Sequence, residues 1–253
     1  MNLTELVTDP YNRRARLQPA LLAILPVVAV ALILYPGLES KAFPLVGIIA
    51  YFGGAGWLTQ VGRERGKRLE KELFAHWGGM PSVALLRHRD GAINKTTKAR
   101  YHAFLSAHVQ GLRIPGPDDE AKDPSSADEA YASATDWLLS RTRDKQTFRL
   151  VFEENMNYGY RRNLWALRPI AIAVDIVLIA TVIGLHIAVA PDSKSALLAL
   201  QSPGMTALAV TGAHLALILA ATKEWVHTAG QAYARQLVAA CDTLGPANDE
   251  RKG

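Results

Sequence analysis

Four long apolar runs dominate this chain: Leu17–Tyr35, Ala42–Gly62, Ile170–Ala190 and Met205–Thr222. As helices rising about 1.5 Å per residue, runs of this length match the roughly 30 Å hydrocarbon core of a bilayer. Chain inside lipid must satisfy its own backbone hydrogen bonds, and a helix does so within one segment. The runs therefore predict an all-α integral membrane protein with four transmembrane helices in two hairpins. A mean hydropathy of +0.06 conceals this, because it averages the runs with a strongly polar remainder. A soluble domain would instead distribute its apolar residues at helix or strand period.

Positive charge orients the spans. Of the 28 Lys and Arg residues, Lys41 lies in the first short loop and Lys194 in the second. All others lie before the first run, between the second and third, or after the fourth. Basic residues collect on the cytoplasmic side of membrane proteins, most strongly next to the spans. Arg63, Arg65, Lys67 and Arg68 follow the second run, and Arg161, Arg162 and Arg168 precede the third. The expectation is an inner (plasma) membrane protein with both termini cytoplasmic. This orientation accounts for most of the net charge of +5, so nucleic acid is not an expected partner. Trp57, Trp165 and Trp225 fall near the same interface, as an aromatic belt does. The first run exceeds the 7–15 apolar residues of a secretory signal and no small-x-small site follows it, so it reads as a retained span.

The expected organisation is a cytoplasmic segment and hairpin over 1–62, a cytoplasmic helical domain over 63–168, a second hairpin over 169–222 and a cytoplasmic amphipathic helix with a tail over 223–253. In the first run, Pro26 predicts a kink. Ser82–Arg87 is short and apolar and is open to a strand reading. Thr96 or Thr97 suits a helix cap, Arg113–Ser126 an exposed acidic loop, and Ser126-x-x-Glu129 a capping box. A helix is expected over Asp144–Leu167, with Pro169 opening the third span. Ala50/Gly54 and Gly62/Gly66 form small-xxx-small pairs. They suit packing on helix 1 of the same chain or contact between subunits.

Three ionisable residues lie within the apolar runs: Asp175, His186 and His214. Such groups are costly in hydrocarbon and face a bundle interior or water. Asp175 and His186 lie roughly 16 Å apart along a helix, with His214 expected between them in depth. Two readings stand: a polar path, or separate local hydrogen bonds with Arg168 or a lipid headgroup beside Asp175. Outside the membrane, Arg87, His88, Arg89, Lys95, Lys98 and Arg100 form a dense basic cluster suited to a small anionic ligand or a lipid head. The alternative is a solvated basic face. Gly159, Arg161, Arg162 and Trp165 suit a membrane-interface anchor or a hinge.

His88-Arg89-Asp90 copies the His-Arg-Asp of kinase catalytic loops, but the other kinase motifs are missing. There is no phosphate-binding loop, nucleophile elbow or dinucleotide fingerprint. One cysteine, Cys241, excludes an internal disulfide and a Cys-cluster metal site. The histidines match no metal spacing. No cofactor, metal or catalytic residue is expected.

Three functions remain. The first is a homo-oligomeric channel or pore-type effector, gated through its cytoplasmic domain. The two-plus-two layout with a helical cytoplasmic insert resembles that of some small bacterial pore-forming effectors, in layout alone. The second is a non-conducting membrane scaffold or sensor that recruits a soluble cytoplasmic partner. The third is a membrane-interface enzyme. The lipid bilayer is a partner in all three.

Overall fold

The computed structural model describes residues 3–35, 43–189 and 203–245, with the side chains of 43–52 and 189 outside that description. The short loops holding Lys41 and Lys194, and the Ala50 side chain, therefore lie outside the described residues. Among the described residues the chain is all helix, with no strand. The order is α1 (Leu3–Thr8), a π-helix (Asn12–Leu17), α2 (Gln18–Leu34), α3 (Phe43–His76), α4 (Pro81–Leu86) and α5 (Lys95–His108). It continues through α6 (Pro117–Lys122), α7 (Pro124–Arg141), α8 (Arg149–Val189), α9 (Met205–Leu219) and α10 (Lys223–Leu244). Among the described residues, two helical stretches are long and apolar enough to cross a membrane: Asn12–Leu34 with 23 residues and Arg149–Ala188 with 40. A third joins them if α9 and α10, bent by 55°, form one span.

Two compact units divide the chain: Met1–Leu69 with Gly159–Val226, and Glu70–Tyr158 with His227–Gly253. The C-terminal helix thus belongs mostly with the central block, whose first and last residues go with the spans. Helices α3, α8 and α10 have residues in both units.

In the first unit, Leu17, Ala20 and Ala23 meet Ala55 and Leu58 of α3, Leu164, Leu167 and Ala171 of α8, and Ile218 of α9. Small residues allow this closeness. A Cβ added at Gly62 would lie 3.1 Å from Leu167, and one at Gly66 would lie 2.7 Å from Asn163 Oδ1. The numbers rise on α3 as they fall on α8, so the two run antiparallel. Gly62 and Gly66 thus pack on α8 rather than on the first apolar run, while Gly54 faces Ile24 of α2.

The second unit buries Leu86, Leu105, Tyr131, Leu138 and Leu237 in one core. Several local expectations change here. Ser82–Arg87 is not a strand, because Pro81 opens the short helix α4. The cap of α5 is Asn94, whose side chain accepts from the Thr97 N–H. The cap of α7 is Asp123, which accepts from Ser126, so the Ser126 box lies inside the helix. The Pro- and Asp-rich loop contains α6, whose Glu120 points inward and is buried. Pro169 lies within α8 and does not start a new helix.

Candidate functional site

A proline in the first long apolar helix sets part of the geometry of the first unit. An α-helical carbonyl accepts from the N–H four residues later, and proline has none. Pro26 therefore withdraws the donor due to Leu22, inside the α-helix Gln18–Leu34. That vacancy is filled by a side chain from another helix. His214 of α9 places Nε2 2.9 Å from the Leu22 carbonyl. Asn163 of α8 donates its amide to the Ala15 carbonyl at 2.7 Å.

His214 also joins α9 to α8. Its Nδ1 lies 2.9 Å from each carboxyl oxygen of Asp175. Asp175 is fully buried and His214 is 8% exposed. Chemistry restricts the protons. A carbonyl only accepts, so Nε2 carries hydrogen. The Nδ1–carboxyl contact then needs one more proton, either on Nδ1 facing a carboxylate or on Asp175 facing a bare Nδ1. The pair is neutral in total in both arrangements, which suits an apolar surrounding.

Of the three intramembrane candidates, the structure joins Asp175 and His214 and leaves His186 apart. His214 lies level with Asp175, not between Asp175 and His186 in depth. The partner of Asp175 is His214, not Arg168. His186 bonds through Nδ1 to the Val182 carbonyl of its own helix at 2.7 Å and sits against Gly204.

The interface residues resolve separately. Arg161 donates to the Trp225 carbonyl at 2.9 Å and lies 4.8 Å over the Trp225 ring. Arg162 is buried beside Gly66, and Trp165 is half-buried. Gly159 lies inside α8, where an added Cβ would meet Tyr11 Oη and Ala15 Cβ, each at 3.0 Å. Its small size admits the N-terminal segment.

In the second unit the basic cluster is largely engaged internally. Arg87 makes a two-pronged bond to Asp128, both arms at 2.7 Å. Arg89 reaches Glu120 at 3.3 Å. Lys98 is buried and donates to the carbonyls of Arg87 and Asp90. Arg100 pairs with Asp242 at 2.8 Å, while Lys95 is exposed. The His88 ring bonds to the Pro115 carbonyl at 2.9 Å and stands edge-on to His102 at 4.8 Å. Glu120 gathers this loop: it accepts from the backbone of His88 and Arg89 and from Tyr131 Oη. The arrangement fastens the Arg87–Asp90 loop to α5, α6 and α7.

Asn163, the Leu22 carbonyl, Glu120 and Asp128 were not singled out from the sequence. The four-residue spacing from Pro26 is the signal that points to the Leu22 carbonyl. Among the described residues no group of three or more His, Cys, Asp or Glu is placed to hold a metal. Comparison with known proteins finds no matching family model, curated protein or solved structure.

Burial holds His102 below its ordinary value of 6.5, aided by the charges of His88 and Lys98 and opposed by the Leu86 carbonyl and Glu120. Burial also opposes ionisation of Glu120, but its bonds from Tyr131, His88 and Arg89 and the Arg89 charge outweigh that and keep it below 4.5. For both groups the unfolded chain binds protons more readily, so stability present at neutral pH is lost as pH falls, through 6.5 for His102 first. The groups facing His102 are His88, Lys98, Glu120 and Tyr131. The unfolding temperature of the full-length protein should fall between pH 7.5 and 5.5, by about 2–4 °C for each kcal/mol lost. His102→Gln should remove most of that fall. An unchanged pH response in the variant would refute the assignment.

A double-mutant cycle tests the proline-vacated carbonyl. His214→Phe should cost about 3–5 kcal/mol by leaving Asp175 unpaired and Leu22 unsatisfied. Pro26→Ala restores the missing N–H, so the same substitution should then cost about 1–2 kcal/mol less. Equal costs in both backgrounds, measured by unfolding in detergent, would contradict the role given to Pro26.

Proposed function

We propose that this chain is a four-span inner (plasma) membrane protein, with both termini and the second unit in the cytoplasm. We infer that it acts there as a non-conducting scaffold or sensor for a soluble partner. The observation that carries this reading is the closure of the Asp175–His214–Leu22 chain inside one subunit. A conducting path needs polar groups turned toward water. Here the buried acid is engaged by the imidazole, and the imidazole by a backbone carbonyl. The neighbouring outward faces carry Ile176, Val177, Leu185 and Ile187. The second unit, a well-made helical core fastened by Glu120, supplies a stable surface for a partner.

One observation favours the second reading, a homo-oligomeric channel or pore-type effector gated by the second unit. Among the described residues, a Cβ added at Gly53 or Gly56 would meet nothing within 4 Å. That small-residue face of α3 suits close approach of a second copy.

Ion flux separates the two. Proteoliposomes holding the full-length protein should keep an imposed ion gradient as long as protein-free ones do, and Asp175→Asn should leave that unchanged. A conductance that Asp175→Asn alters in correctly inserted protein would overturn the scaffold reading and establish the channel.

A further inference from the structure

The second unit carries a cleft of about 350 Å³ between α5 and the end of α10. Arg100, Tyr101 and Phe104 line it from α5, Cys241 and Asp242 from α10, and Gly245 from just beyond that helix. All six belong to the second unit. The volume lies at the lower end of the roughly 300–1,000 Å³ that small-molecule sites occupy.

Its walls are rings and a thiol. Tyr101 and Cys241 are buried, and a buried thiol packs as a small apolar group. Phe104 is half-buried and held in place by other rings. It stacks on His108 with centroids 4.1 Å apart and stands edge-on to Trp137 at 6.0 Å. A Cβ added at Gly245 would lie 3.8 Å from Phe104 Cε2 and 3.4 Å from the Cys241 carbonyl. Those are ordinary contacts, so the position tolerates a side chain, and glycine leaves the Phe104 ring uncovered there.

The rim is polar and already paired. Asp242 Oδ1 takes Arg100 Nε at 3.0 Å and Nη2 at 2.8 Å, and Oδ2 accepts from the Tyr101 hydroxyl at 2.7 Å. The Arg100 guanidinium also lies 5.4 Å over the Tyr101 ring. Arg100 and Asp242 cancel in charge, so the rim calls for no counter-ion. A carboxylate oxygen accepts two hydrogen bonds, and Oδ2 has taken one. An accepting position thus remains beside ring walls, which match a planar ring that stacks on them and bears a single donor.

We propose that this cleft binds a small uncharged aromatic compound with one N–H or O–H donor, its ring against Phe104 and Tyr101 and its donor on Asp242 Oδ2. Arg100 and Tyr101 act as positioning residues that hold the carboxylate.

Indole and 1-methylindole, close in size but with and without the N–H, serve as probes. Binding to the full-length protein in detergent micelles is read by equilibrium dialysis, with protein-free micelles giving the linear uptake into detergent. Above that line, indole should bind saturably with a Kd on the order of 0.1–1 mM. 1-Methylindole should bind about fivefold more weakly. Gly245→Leu, which fills the cleft, should weaken indole about tenfold and leave the unfolding temperature unchanged. Asp242→Ala removes an exposed ion pair, which contributes little to the fold, and should bring the two probes to equal affinity. 1-Heptanol, which has the O–H without the ring, should bind more weakly than indole. No saturable indole binding, saturable binding that Gly245→Leu leaves intact, equal affinity of the wild type for the two indoles, or tighter binding of heptanol would each overturn the proposal.

Discussion

A proline inside an apolar helix removes a backbone donor, and the first unit is organised around such a loss at Pro26, which leaves the Leu22 carbonyl open. A buried carbonyl without a partner costs about 1–3 kcal/mol. His214 meets that need from α9, while Asn163 of α8 donates to the Ala15 carbonyl. Because each bond demands one polar side chain at one position, the two bonds fix which faces of α8 and α9 turn toward the first long apolar helix. Apolar packing among Ala20, Ala23, Ala171 and Ile218 then fills the space between. Such packing alone would tolerate many registers.

Asp175 completes the arrangement. Left alone, a buried carboxylate is far more costly than a buried carbonyl. Left alone, His214 would have one nitrogen satisfied and one buried without a partner. Joined, they share a proton and present no net charge to their surroundings. The same contact draws α8 and α9 together across a sequence separation of 39 residues. This closure within one chain is the ground for the proposed non-conducting role. In the second unit Glu120 performs the corresponding task in a wetter setting, with four donors holding a loop that the sequence alone presents as a free basic patch.

Much of this was legible in the residues. The helical class follows from the length of the apolar runs, and Asp175 and His214 stood out because ionisable groups are rare in such runs. Pairing them was not legible: depth along separate helices depends on tilt and on the bend between α9 and α10. The Arg87–Asp90 cluster misled because its partners, Asp128 and Glu120, are 41 and 32 or fewer residues away and look solvent-facing in a Pro- and Asp-rich stretch. Glycine told a mixed story. Gly62 and Gly66 pack on α8, whereas Gly53 and Gly56 stay open, and spacing alone does not distinguish the two pairs.

His214 donates through Nε2 to the carbonyl vacated by Pro26 while Nδ1 faces Asp175. Nitrogen-15 NMR of histidine-labelled full-length protein in nanodiscs, with His214→Gln used to assign its signals, reads both ring nitrogens directly. A hydrogen is expected on Nε2 of His214 at neutral pH, as the ε-tautomer or as imidazolium. A His214 ring protonated on Nδ1 alone, with Nε2 bare, would contradict it.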